Sequence, residues 1–154
     1  MKTRLFGLTL LLGSLAVAVC VAADANMGTW KLNDAKSKIT AGNGKNDTVV
    51  YEAVSDNVKV SIDGTAADGK AIHTEWTGKF DGKEYAVTGD PTSDMRSYTR
   101  VDANTLAFAA QQAGKPTLSG RIVVSADGKT RTVTTDAKDE KGVKVTNTGV
   151  YDKQ

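Results

Sequence analysis

Arg96, Tyr98 and Arg100 alternate along the run MRSYTRV and so share one face of a strand. Two guanidinium groups flanking a phenol form a donor set for an anion, because arginine cannot lose its charge and presents its N–H groups in a fixed fork. The turn that follows decides which face they occupy. A three-residue loop at 102–104 sets Arg100 opposite Leu106 and Tyr98 opposite Phe108, and points the arginines inward. A turn at Ala103-Asn104 alone sets Val101 opposite Leu106 and Thr99 opposite Phe108, and leaves the arginines in water. The second register pairs apolar with apolar and is the one expected, since a slip of one residue exchanges the two faces of a strand. Arg131 is a firmer inward candidate, because the Asp127-Gly128 turn sets it opposite Val124.

His73 is the single histidine, so no His cluster exists for a metal. Its strand partner is Asp63, while Glu75 lies two residues on, on the same face and opposite Ser61. A Ser-His-acid nucleophile needs hydroxyl and carboxylate on either side of the imidazole in a water-poor pocket. An outer sheet face offers neither, so a solvent-side Asp–His pair is expected. Haem ligation through a lone histidine would need it to face inward. Neither catalytic residues nor a metal or cofactor are expected.

The elements that hold these residues follow from the stretch 76–87, WTGKFDGKEYAV. Asp81-Gly82 reads as a two-residue hairpin turn, a geometry that needs positive φ at both central positions. It sets Phe80 opposite Lys83, Lys79 opposite Glu84, Gly78 opposite Tyr85 and Trp76 opposite Val87. Trp76, Phe80, Tyr85 and Val87 then share one face. The same pattern recurs down the chain: about ten runs rich in Val, Thr, Ile and aromatics, with a turn every 10–13 residues or so, the spacing of an all-β sandwich or barrel. A three-residue loop Ala67-Asp68-Gly69 puts Val60 opposite Trp76 and Ile62 opposite Thr74. A turn at Asp56-Asn57 puts Ala53 opposite Val60 and Tyr51 opposite Ile62, and Asp127-Gly128 puts Ile122 opposite Val133. Short connections imply an up-and-down antiparallel meander. One continuous apolar face on so long a sheet favours closure into a barrel of about 8–10 strands, which removes both edges.

Tyr51, Trp76, Tyr85 and Phe108 fall on the inner face together with Trp30, and either line a cavity or fill it. Aromatics make up only 6% of the chain, and Ala53, Gly64, Gly78, Ala110 and Gly120 are small inward positions, which leaves room.

Residues 1–25 read as an export signal: Lys2 and Arg4, an apolar run, then small residues at a cleavage site after Ala23 or after Ala25. The apolar run is short for a membrane span and no second one follows. The only cysteine, Cys20, lies in this segment; Val19 before it argues against a lipid-anchored cysteine, and without it the mature chain has no disulfide. About 130 residues remain, enough for one domain with one core. The chain carries 20 basic and 18 acidic residues, nearly balanced once the signal is removed and scattered singly. Such a balance lacks the basic stripe that a nucleic-acid or anionic-membrane binder uses.

The first strand opens with Gly28-Thr29-Trp30, a Gly-x-Trp pattern, and the last ends in Val150-Tyr151-Asp152-Lys153. Together with the meander these resemble the calycin superfamily, the lipocalins and fatty-acid-binding proteins. The resemblance implies a closed barrel that holds a small apolar ligand, with Gly28, Trp30 and Tyr151 in structural roles. It departs from the fatty-acid-binding branch at residues 34–47, too polar and Gly-rich for that branch's helical pair, and at Gly149, where that branch places a carboxylate-binding arginine. Lipocalins cover the Gly-x-Trp tryptophan with a basic residue, for which Arg131 and Lys144 are candidates. The reading is a periplasmic or extracellular monomer, not an enzyme, that binds a small apolar or amphipathic molecule and no nucleic acid. Its candidate contacts are Trp76, Tyr51, Tyr85, Phe108, Arg131, Arg96, Tyr98 and Arg100. The alternative is a cell-envelope structural or protein-interaction module with a filled core.

Overall fold

In the computed structural model, which describes residues 24–138 and 142–154, Val, Thr and aromatic runs become strands and almost every Gly- or Asp-containing break becomes a turn. The strands are β1 (Gly28–Leu32), β2 (Lys45–Val54), β3 (Asn57–Thr65), β4 (Ala71–Gly78), β5 (Asp81–Thr88), β6 (Met95–Arg100), β7 (Thr105–Gln112), β8 (Lys115–Val124), β9 (Thr130–Lys138) and β10 (Lys144–Lys153). Each pairs antiparallel with its chain neighbours, and β1 pairs with β10 to close the barrel. Trp30 meets Lys153 and Leu32 meets Tyr151 across that seam. A single 3-10 turn, Asp34–Lys36, is the helical content of the described residues, capped by the Asn33 side chain. Among those residues no helix is long and apolar enough to cross a membrane. The export segment, apart from Asp24 and Ala25, and Cys20 with it, lie outside the described residues.

Antiparallel alternation gives the barrel two unlike ends. One, the floor, carries the β2–β3, β4–β5, β6–β7 and β8–β9 turns and the entering segment 24–27. The other, the mouth, carries the longer connections, including 33–44 and 89–94.

Several registers match expectation. Val60 pairs with Trp76, Ile62 with Thr74 and Asp63 with His73, and the loop that fixes them has Gly69 at φ 83°. Ile122 pairs with Val133 and Val124 with Arg131. Trp76 pairs with Val87.

Three expectations are corrected. The β2–β3 turn is centred on Ser55-Asp56, not Asp56-Asn57, with Ser55 at φ 52°. Tyr51 therefore pairs with Val60 and Val49 with Ile62. The displacement is an even number of residues, so every side chain keeps its face. At Asp81-Gly82 only the glycine takes positive φ, at 80°. Asp81 instead opens β5, pairs with Thr99, and its carboxylate accepts from the Lys83 N–H and the Tyr85 hydroxyl, each at 3.0 Å. The β4–β5 ladder is then only Glu75–Thr88 and Trp76–Val87. Burial of the Phe80 ring against Trp76 and Tyr98 outweighs the local preference of the dipeptide for a tight hairpin.

The third correction concerns β6 and β7, where Arg100 pairs with Leu106 and Tyr98 with Phe108. The locally apolar match loses, and Val101 is left 48% exposed. The reason lies beyond the hairpin: this register buries the large Tyr98 ring rather than Thr99, and both arginines find carboxylates in Asp90 and Asp24.

Candidate functional site

The inner face is not filled along its whole length. Toward the mouth it encloses a cavity of about 950 Å³, within the range of small-molecule sites. Small or slender side chains leave its upper part open, among them Thr74 on β4, Thr135 and Ala137 on β9, and Val145 and Gly149 on β10. The segment 39–46 and the β5–β6 residues Asp90, Pro91 and Thr92 frame the opening.

Below the cavity, large rings stand where small residues stand above. Trp76 meets Tyr98 edge-on at 4.8 Å between centroids, Tyr85 at 5.7 Å, and stacks with Phe80 at 6.4 Å. Gly78 makes this possible, since a Cβ there would fall 2.6 Å from the Tyr85 ring. The Trp76 indole N–H donates to the Arg96 carbonyl at 3.0 Å.

Arg131 marks the boundary between the two halves. Its guanidinium lies over three rings, Trp30 at 5.0 Å, Tyr51 at 5.0 Å and Tyr151 at 4.8 Å. It is 2% exposed, and its Nε and Nη1 have no hydrogen-bond partner. No carboxylate of the described residues pairs with it. The phenols do not supply the missing charge: burial pushes the Tyr151 hydroxyl up to about 12, and burial, ahead of the neighbouring Tyr98, raises Tyr51 as well. Three ring faces stabilise a cation electrostatically but leave it a full positive charge. Trp30 also receives Lys153 at 5.1 Å, and its N–H donates to the Asn26 carbonyl at 2.8 Å. Arg131 therefore covers the Gly-x-Trp tryptophan; Lys144, the other candidate, pairs with Asp136 at 3.3 Å.

Arg96 is the second buried cation of the cavity wall, and its charge is matched. Its Nη2 donates to Asp90 at 2.7 Å, and its Nε has no partner. Asp90 also accepts from the Thr92 N–H at 2.8 Å, the Thr92 hydroxyl at 2.7 Å and the Ser93 hydroxyl at 2.5 Å. Burial alone would raise the Asp90 carboxyl, but the Ser93 and Thr92 hydrogen bonds and the Arg96 charge outweigh it and hold the group below its ordinary value.

Of the residues singled out in the sequence, Tyr51, Arg96, Tyr98, Phe108 and Arg131 line the cavity. Trp76, Tyr85 and Arg100 do not: Trp76 and Tyr85 belong to the ring cluster beneath it, and Arg100 sits at the floor over Phe80 at 5.3 Å, paired with Asp24. His73 stays outside, its Nδ1 2.7 Å from Asp63 and its Nε2 3.6 Å from Glu75. Among the described residues no group of His, Cys, Asp or Glu side chains could hold a metal ion. Sequence reasoning did not find Asp90. The signal was present in Asp90-Pro91-Thr92-Ser93, where a turn-forming Asp precedes two hydroxyls able to bond it.

No family model matches the chain, and no curated protein matches it. Solved structures do. A redesigned β-barrel, mFAP1, bound to DFHBI is 16% identical, with a TM-score of 0.47, over 86% of this chain and 98% of its own. EF1p2_mFAP2b, also bound to DFHBI, is 15% identical, with a TM-score of 0.50, over 86% of this chain and 97% of its own. At this identity the likeness is one of fold, a closed antiparallel barrel.

Proposed function

We propose that this is an exported, monomeric, non-enzymatic binding protein that takes a small amphipathic molecule, mostly apolar, into the upper half of its barrel. The observation that carries the reading is the cavity of about 950 Å³ bounded at its base by an uncompensated buried cation, Arg131. Apolar burial against Val49, Ile62, Tyr98, Phe108 and Ile122 supplies most of the affinity. A carboxylate or similar anion on the guest, drawn toward Arg131, fixes its direction. To reach the guanidinium, now packed among its three rings, the anion displaces the Tyr51 or Tyr151 ring from its edge. The open interior speaks for this reading over a filled structural module, and the bound state of the similar EF1p2_mFAP2b barrel is consistent with it.

Native mass spectrometry of the protein purified from its own cells, with denaturation and identification of what is released, tests the proposal. A stoichiometric amphipathic acid is the expected result. An empty protein that also fails to enhance an apolar fluorescent probe would overturn it.

A further inference from the structure

The export reading leaves two cleavage sites open, after Ala23 and after Ala25, and residues 24–27 bear on the choice. Asn26 is 0% exposed. Its backbone N–H and its Nδ2 donate to Asp24 Oδ1 at 3.0 and 3.1 Å, and the Met27 N–H donates to the Asp24 carbonyl at 3.0 Å. The second Asp24 oxygen pairs with Arg100, whose guanidinium lies over the Phe80 ring. The Asn26 carbonyl holds the Trp30 indole, while Ala25 and Met27 pack against the core. These four residues belong to the floor of the barrel, and Asp24 is the group that ties them to it.

We infer that the mature chain begins at Asp24, an inference that rests on the export reading. Water hydrolyses the Ala23–Asp24 peptide bond, leaving a carboxylate on Ala23 and an ammonium on Asp24. That new charge appears on a partly exposed residue beside its own carboxylate, and every floor contact survives. A cut after Ala25 would instead create the ammonium on the fully buried Asn26 and remove its acceptor. It would also strip Arg100 of its carboxylate and take away the packing of Ala25. Burying a charge that has lost its partner is strongly unfavourable. A signal-cleaving enzyme meets the chain before it folds, so the fold does not steer the cut. The fold decides which product can close its floor.

The test has two arms. Intact mass and N-terminal sequencing of the exported protein should give a chain starting at Asp24. A start at Asn26, or at a lipidated Cys20, would overturn the inference and leave export standing, whereas an uncleaved chain would overturn the export reading and the inference together. In the second arm, chains made without a signal, one starting at Asp24 and one at Asn26, are melted side by side. The shorter should melt lower by about 5 °C or more. Equal melting temperatures would overturn the inference.

Discussion

The two halves of the barrel are built from the same ten strands with the same in-out alternation, yet one is solid and the other hollow. Strand geometry does not distinguish them. What differs is side-chain volume at inward positions: Trp30, Trp76, Phe80 and Tyr98 toward the floor, Thr74, Thr135, Ala137 and Gly149 toward the mouth. The floor supplies the buried area a chain of this size needs, and this allows the mouth to stay underpacked. Stability and binding are thereby assigned to different ends of the same β-strands.

The comparison breaks first at Trp76. Trp76→Ala removes the ring that Phe80, Tyr85 and Tyr98 pack on, and should cost about 3 to 5 kcal/mol in urea unfolding. Probe uptake by the folded fraction should persist. If the variant is as stable as the parent, the floor is not where stability resides.

Arg96→Met should follow, at about 2 to 3 kcal/mol, because it leaves Asp90 without its cation. The sign of its pH dependence is fixed. Asp90 is held below its ordinary value in the folded chain, so its contribution is present above the unfolded value of about 4 and lost as pH falls through the lowered folded value. The acid limb of the parent's stability curve should therefore be steeper than that of the Arg96→Met variant. Identical acid limbs would show that the pair does not hold the mouth.

Much of this architecture was legible in the residues, and the exceptions have a common physical origin. Asp68-Gly69 and Asp127-Gly128 gave correct registers because each turn is decided locally. The β6–β7 register was not, since Asp24 lies 76 residues from Arg100, and no inspection of one hairpin reveals that pair. Asp81-Gly82 gave the Trp76–Val87 pair but not the tight turn, for the same reason, with Phe80 held by Trp76 rather than by its own turn. Alternation tells which face a residue occupies but not its depth along the barrel axis. Tyr51 and Trp76 therefore looked equivalent in sequence, although only Tyr51 lines the cavity.

Thr135→Phe puts the comparison to work from the other end. Thr135 lines the hollow half, so an added ring enters space rather than atoms, and the cost should stay below about 1 kcal/mol. Uptake of an apolar fluorescent probe should nevertheless fall by at least about tenfold, because the ring occupies the guest's volume. A stability loss as large as that of Trp76→Ala would mean that the mouth is packed and the cavity does not exist in solution.

The smallest change in stability is expected at Arg131, where it sharpens the comparison most. An unpaired cation under three rings is stabilised by their faces and destabilised by its own desolvation, and the two effects oppose each other. Arg131→Met keeps most of the length and apolar bulk and removes the charge, so unfolding free energy should move by less than about 1 kcal/mol in either direction. Binding of a long-chain carboxylate, measured by calorimetry, should weaken by at least about tenfold while that of the corresponding neutral alcohol changes little. Equal losses for acid and alcohol would make Arg131 a packing residue of the floor. A large stability loss without a change in acid selectivity would say the same, and would leave the direction of the guest to Arg96, the other guanidinium of the cavity wall.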